Sequence, residues 1–509
     1  MMRCAILVFR LKLKQNIMDR RDFLTTAGGL VVGGIAMNLL GGCTEPFTLS
    51  SLKAGDIKES YQTQVLVLGG GPAGVCAAIA AARQGVKVMI VEQGGALGGM
   101  ATLGVVAPFM TCYDTTGEQM IIKGIFEEIV DRMVALGGAL HPSGIRKTTG
   151  YSAWITDGHD HLTPFDAETL KYVLDCMCAE AGVKVLFHAN FVNPILAGDR
   201  AAGAVILTKG GLEAVRADIV IDCTGDGDYA ARAGAPTEFG NPRTGRVQPS
   251  TLFFHINNVE SRLLERDVES KLHTFRRIDG VSHRALHWHV LKAVENGDWD
   301  ISRRSVNIYK GVRDDEWAVN TTRIARVDAT NSEDLTRGEI EGRRQVKMVM
   351  DFFHKYVPGC KNATLKCTGS TLGIRESRHI LGEYVLQVDD LLNGVVSDDA
   401  ILVASNSVDV HGRLSDNSTE YITVQNGRWY GVPYRTLVPQ RVENLLVAGR
   451  ALSATSDAAG AVRVMPPCMA MGQAAGVAAA LAVKGGTTPR NIDPTHLRKV
   501  LLENGVFLG

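Results

Sequence analysis

Between residues 64 and 92 the chain spells out a β-α-β unit with a glycine turn at its first corner. Gln64-Val-Leu-Val-Leu68 is a short apolar run of strand character. Gly69-Gly70-Gly71-Pro72-Ala73-Gly74 interrupts it, Val75 to Gln84 is a small-residue helix, and Val86 to Val91 is a second buried strand. Gly69 permits a tight turn, and Gly71 lets the backbone approach a pyrophosphate. Gly74 lets the helix pack on the strand. With Pro72 and Ala73 opening it, the helix presents free N–H groups and partial positive charge to the phosphates. Glu92 ends the second strand, twenty-three positions after Gly69, where a carboxylate accepts hydrogen bonds from a ribose diol. A glycine pattern alone is weak. Strand, glycines, helix, strand and acid in this order point to a bound dinucleotide.

The remaining elements fit around that unit. Residues 166–182 form an amphipathic helix with Leu170, Val173, Leu174 and Met177 on one face, and Val183 to Phe187 is a third strand. Ala204–Leu207 and Glu213–Arg216 pair as a hairpin, Ile219–Ile221 reads as a separate strand, and Leu445–Val447 as a late buried one. An Ala/Gly-rich helix follows from about 466 to 483. The expected fold is α/β: a Rossmann-type dinucleotide domain from residues 61–106, 162–235 and 430–509, with an inserted α+β substrate (cap) domain from 107–161 and 236–429.

Lys+Arg and Asp+Glu both number 54, which gives no reason to expect nucleic acid or a general affinity for anionic membranes. The amino terminus is read as an address rather than as fold. Arg20-Arg21-Asp-Phe23-Leu24 leads into an apolar, glycine-rich run from Gly28 to Leu40, shorter than a membrane-spanning helix needs. The pattern resembles a twin-arginine export signal, with Asp19 where such signals often carry Ser or Thr. Leu39-Leu40-Gly41-Gly42-Cys43 looks like a lipoprotein box with Cys43 lipidated. Residues 1–43 are therefore expected to be the signal, with Met18 as a natural start, and 44–60 a polar tether. The protein is expected at the cell envelope or in the periplasm, touching membrane only through Cys43. Of the ten cysteines, Cys360 and Cys367 can form a disulfide in an oxidising compartment, and none matches a zinc or iron–sulfur run.

Further motifs separate the possible dinucleotides. Asp222-Cys223-Thr224-Gly225-Asp226-Gly227-Asp228 follows an apolar strand, and Leu445-Leu-Val-Ala-Gly449-Arg450 carries another into a turn. Met471-Gly472-Gln473-Ala474-Ala475-Gly476 lies in the late helix. With Leu97-Gly98-Gly99, Gly373-Ile-Arg375-Glu376-Ser-Arg378-His379, Asp409-Val-His411 and Val432-Pro-Tyr434-Arg435, the order resembles FAD-dependent oxidoreductases of the glutathione-reductase-like superfamily. More narrowly, it resembles a family related to the flavin-binding part of heterodisulfide reductase. The resemblance covers about 62–509 and implies FAD as cofactor. It implies Gly69, Gly71, Pro72, Ala73 and Gly74 at the pyrophosphate, Glu92 at the ribose and Val192 near the adenine. Gly99, Thr224, Gly225, Asp226, Gly449, Arg450, Arg463, Gln473 and Ala474 would complete the cofactor site. The helix near Pro466 would aim its positive end at the flavin N1–O2 edge, where reduced flavin carries negative charge. No second strand–glycine–helix unit provides an NAD(P)H domain, and no Cys-x4-Cys pair follows the first unit.

Substrate chemistry needs a hydride path and usually a base. Arg375 and Arg378, three apart on an expected helix, can share a face and bind a carboxylate or pair with Glu376 or Glu383. Asp409 and His411 alternate on an extended stretch, as an Asp-oriented proton acceptor or as a structural pair. Tyr434 lies just before the last cofactor segment. His283, His287 and His289, and the pair His159 and His161, are read as packing or surface groups, so no metal is expected. Trp154, Trp288 and Trp317 are read as core. The leading reading is a dehydrogenase or oxidase of a small organic molecule, with a carbohydrate derivative as the candidate that export and family context suggest, passing electrons to an external acceptor. A reductase fed by an external redox protein and a non-catalytic flavin-fold binding protein are the rivals.

Overall fold

The computed structural model describes residues 57–156, 158–412 and 418–509. The export signal, Cys4, Cys43 and all but the end of the tether lie outside the described residues. β1 (Lys58–Leu68) starts exposed and ends fully buried, so its carboxyl end lies in the core. Gly71 caps α1 (Pro72–Arg83) without a side-chain bond, and Pro72 stands in the first turn, where its missing N–H costs nothing. β2 (Val88–Val91) is buried throughout. α2 (Ala167–Ala181) is capped by the Asp166 side chain, which accepts from Thr169 N, and ends at Gly182 in the left-handed region.

β3 (Lys184–Leu186), β2, β1 and β6 (Gly211–Asp222) lie side by side and parallel; β5 (Arg200–Thr208) and β4 (Asn190–Ala197) extend the sheet antiparallel beyond β6. The hairpin strand and the strand expected at 219–221 are one element. Asp218 reads as a break, yet it is exposed between buried Ala217 and Ile219, which is ordinary alternation along one strand. The short α3 (Asp228–Arg232) follows β6.

The middle of the chain builds its own sheet, in the order β8 (Asn307–Lys310), β9 (Trp317–Asn320), β7 (Phe254–Asn257), β10 (Thr364–Thr368). The 25-residue α4 (Ser332–Tyr356) contributes Val346, Val349, Phe352 and Phe353 to the core there, with Trp154 and Trp317 stacked at 5.9 Å. Next come the hairpin β11 (Val408–His411) and β12 (Thr419–Ile422). β13 (Leu445–Val447) then returns to pair parallel with the end of β6. α5 (Ser456–Val462) leads into α6 (Met465–Gly485), which is apolar and long enough to cross a membrane. It is a core helix: 89% of its apolar window is buried, against α1 and the sheet. Cys360 and Cys367 are free thiols, as are the other described cysteines.

Candidate active site

The carboxyl ends of β1, β2, β6 and β13 open onto one cavity of about 1000 Å³, whose opposite wall comes from the middle of the chain. That is the expected place for a ligand on a parallel sheet. At Gly69 the backbone is left-handed (φ +97°), and a Cβ would lie 2.4 Å from the Cys223 carbonyl oxygen; only glycine fits. A Cβ on Gly74 would meet the Gly69 carbonyl oxygen, so its role is to seat α1 on the strand. Gly71 differs from both. A Cβ there meets no protein atom within 4 Å, because the space it would fill is the cavity.

Glu92 faces that space. Its Oε2 accepts from Gly70 N and its Oε1 from Gly94 N, both at 2.6 Å, which fixes the rotamer while each oxygen retains a lone pair. The next turn is organised by buried Asp222, whose carboxylate accepts from Thr224 N, Thr224 Oγ1 and Ala230 N. Asp226 pairs with Arg450 at 2.8 Å, and Arg450 Nη1 donates to Ser377 Oγ. Pro72, Ala73, Gly99, Thr224, Gly225, Asp226, Gly449, Arg450 and Arg463 all line the cavity.

Several expected site residues lie elsewhere. Val192 is on β4 with its carbonyl accepting from Arg232, and the nearby wall is made by His188, Ala189, Asn190 and Phe191. Gln473 faces away from the cavity, its Oε1 accepting from Ile125 N at 2.9 Å. Ala474 is buried in helix packing. Tyr434 is 2% exposed and its hydroxyl donates to the Pro489 carbonyl at 2.8 Å, so it is scaffold. Arg375 and Arg378 share no helix: Arg378 begins a strand, Arg378–Ile380, paired with Thr237–Phe239. Arg378 forms an ion pair with Asp228 at 2.6 Å, while Arg375 reaches the cavity. His159, read as packing, lines the cavity beside Tyr309.

Asp409 and His411 stand on β11 at the cavity wall, with His411 Nε2 3.1 Å from Asp409 Oδ2 and Nδ1 3.0 Å from Thr419 Oγ1. Burial disfavours charge on Asp409, but His411, Arg463 and Arg375 outweigh it and hold the carboxyl below its usual range. Burial, assisted by Arg375 and Arg323 and opposed by Asp409, pulls His411 down to about 3. The pair is thus an ionised carboxylate beside a neutral imidazole. Nε2–H donates to Asp409, leaving the Nδ1 lone pair toward Thr419; an Arg323 N–H also points at Nδ1, at 3.5 Å. Arg284, Arg303, Arg323, Tyr309, Asn320 and Thr419 join this wall from separate elements, and no sequence motif announces them.

Residues 64–501 match the family model described as FAD dependent oxidoreductase. A digoxin reductase of Eggerthella lenta is 34% identical over 93 residues, covering 16% of this chain and 17% of that protein. A digeranylgeranylglycerophospholipid reductase of Methanoculleus marisnigri is 27% identical over 185 residues, covering 36% of this chain and 43% of that protein. The chain therefore matches less than half the length of either relative. Among solved structures, p-nitrophenol 4-monooxygenase from Pseudomonas putida DLL-E4 superposes with a TM-score of 0.43 at 13% identity, covering 87% of this chain and 86% of that one.

Proposed function

Since the chain belongs to the FAD dependent oxidoreductase family, with FAD as its cofactor, we propose that it oxidises a small organic molecule in the cavity between the Rossmann-type sheet and the middle of the chain, as a dehydrogenase or oxidase. The motif order supports kinship with the glutathione-reductase-like superfamily and the flavin-binding part of heterodisulfide reductase. The carrying observation is that a hydrogen-bonded chain, Asp409–His411–Thr419, opens onto the same cavity as Gly71 and Glu92.

The residues present fit the cofactor. Gly71 leaves room that no protein atom claims, and neither α1 nor α6 has a side-chain cap on the N-terminus that borders the cavity. Gly69 to Ala73 would hold the pyrophosphate, Glu92 the ribose hydroxyls, and Thr224, Gly225, Asp226, Gly449 and Arg450 the middle of the molecule. The N-terminus of α6 and Arg463 would meet the ring. When bound, FAD supplies a two-electron acceptor for a hydride equivalent. The protein supplies the proton path: a substrate hydroxyl would pass its proton through Thr419 Oγ1 toward His411 Nδ1, and ionised Asp409 opposes the burial that keeps this imidazole weakly basic, so the ring holds the proton only in passing.

Export by the twin-arginine route and a lipid on Cys43 complete this reading, supported by the residues around Arg20-Arg21 and Cys43. The same reading includes an external electron acceptor at the envelope and, from export together with family context, a carbohydrate-derived substrate. The reverse direction, a reductase fed by an external redox protein, is favoured by one observation: both curated relatives are named as reductases. Anaerobic mixing of the purified flavoprotein with a metabolite panel tests the oxidase or dehydrogenase reading. Bleaching of the oxidised flavin band by an organic substrate supports it. A flavin that only external reductants reduce, and that a substrate then reoxidises, reverses it.

A further inference from the structure

Arg284, Arg303, Arg375 and Arg463 line the cavity, from segments other than the glycine turn. Arg303, Arg375 and Arg463 donate to neutral acceptors. Arg303 Nη1 donates to the Asn320 carbonyl at 2.8 Å. Arg375 donates to the Pro249 carbonyl and to Asn320 Oδ1. Arg463 donates to Gln248 Oε1 and the Asp409 carbonyl, both at 3.2 Å. Arg463 Nε is buried without an acceptor. Among the described residues, no carboxylate oxygen comes within 4.0 Å of any of the four. Burial, with repulsion from Arg463, Arg303 and Arg323, lowers the Arg375 guanidinium well below its ordinary range. Arg323, on the same wall, is engaged with the Ser418 carbonyl.

Guanidinium groups withdrawn from water without a carboxylate are costly to fold, and the cost is offset when a bound anion supplies the partner. The cofactor does not account for all of them. Its pyrophosphate would lie at Gly71 and its ring would meet Arg463, which leaves Arg284, Arg303 and Arg375. Among the described residues, Asp409 is the acid that acts on Arg303 and Arg375, and its carboxylate is bonded to His411. Arg375 and Arg303 both donate to Asn320, one to its side chain and the other to its carbonyl, so one residue anchors both guanidinium groups. Such planar forks match the oxygens of carboxylates.

We propose that the substrate is an organic acid, whose carboxylate or carboxylates dock on Arg284, Arg303 and Arg375 while its oxidisable carbon faces Thr419 and His411. The inference rests on the reading of the cavity as an oxidoreductase site and names the chemistry of its substrate. A sugar acid satisfies both this charge requirement and the carbohydrate context.

The test titrates the FAD-loaded protein with glucuronate, succinate and malonate, and with glucose, succinamide and malonamide as neutral counterparts. Calorimetry and the oxidised flavin spectrum are the readouts. At least one acid should bind, weaken as salt is raised, and exceed its neutral counterpart by tenfold or more. Arg303→Gln and Arg375→Gln should each retain FAD and lower that acid's affinity by about tenfold to a hundredfold. The proposal is overturned if no acid binds, if the neutral partner binds as well, or if both variants keep the wild-type affinity. Should a Gln variant fail to fold, the salt dependence and acid-to-neutral ratio of the wild type decide alone. Flavin reduction by neutral molecules with acids inert would sink the acid assignment and spare the oxidoreductase reading. Acids that bind, with no organic molecule exchanging electrons with the flavin, would do the reverse.

Discussion

Gly472 on α6 lies so close to Ala73 on α1 that a Cβ would sit 2.0 Å from the Ala73 carbonyl oxygen, and four residues on Gly476 repeats the contact with Ala77 at 2.1 Å. The two helices thus meet backbone to backbone. Gly472→Ala should push them apart, costing about 1–3 kcal/mol and weakening FAD binding indirectly. Gly71→Val should do the opposite: the FAD-free protein keeps its melting temperature, and the flavin is lost. Melting curves and flavin release on denaturation separate the two. A Gly71→Val protein that purifies yellow would remove the pyrophosphate from that turn.

The proton path makes a second prediction. Thr419→Val and His411→Gln should retain FAD and slow flavin reduction by the true substrate by roughly 10²–10⁴-fold. Tyr434→Phe should lose about 1 kcal/mol of stability with the Pro489 hydrogen bond and leave the reduction rate unchanged. Stopped-flow reduction under anaerobic conditions reads all three. A full-speed Thr419→Val variant would break the relay.

Legibility in the sequence followed locality. Gly69 to Glu92 could be read because one contiguous stretch forms strand, turn, helix, strand and acid, and each step has a local signature. The proton wall could not. Thr419, Tyr309 and Arg303 belong to elements scattered across the middle of the chain, and only tertiary folding brings them to one surface. Asp409 and His411 were readable as a pair by their alternation. Their reach to Thr419 depends on the β11–β12 register, in which His411 stands opposite Thr419. Arg375 and Arg378 invited a helical reading by spacing alone, but the chain there is extended, so one arginine faces the cavity and the other faces Asp228.

Arg378 yields the third prediction. Burial and the neighbouring Asp226 raise the Asp228 carboxyl, and the Arg378 guanidinium opposes them. Arg378→Ala should lower the melting temperature and loosen FAD, with Arg378→Lys recovering part of both, while the substrate KM of the loaded enzyme stays put. A raised KM with normal flavin content would return Arg378 to the substrate site.

Acid should destabilise the fold through its buried imidazoles. Burial lowers His411 to about 3 and His287 to about 4 from an ordinary value near 6.5. A depressed histidine gives stability that is complete above its unfolded pKa and is lost as pH falls toward the folded one, because the unfolded chain takes up the proton first. The melting temperature should therefore drop steadily from about pH 6.5 to about pH 4, and less steeply in His287→Gln. A flat profile across that window would contradict the neutral assignment of these rings.

Export should depend on the arginine pair. Arg20→Lys with Arg21→Lys should leave the protein in the cytoplasm, and starting at Met18 should change nothing. Cys43→Ala should release mature protein from membranes or block its processing. Normal export of the double variant in cells lacking twin-arginine transport would refute the signal.

The placement of α6 also sets a timetable for biosynthesis. Met465–Gly485 is the most apolar long helix described and lies in the last tenth of the chain, yet it and β13 complete the wall against α1 and β6, made hundreds of residues earlier. Until α6 is made, α1 lacks the helix on which its Ala73 and Ala77 backbone packs. When α6 finally emerges, it is a greasy segment seeking a groove. Such long-range closure is slow and exposes sticky surface. A cavity that borrows the N-terminus of α6 is therefore complete only once that helix has docked on α1.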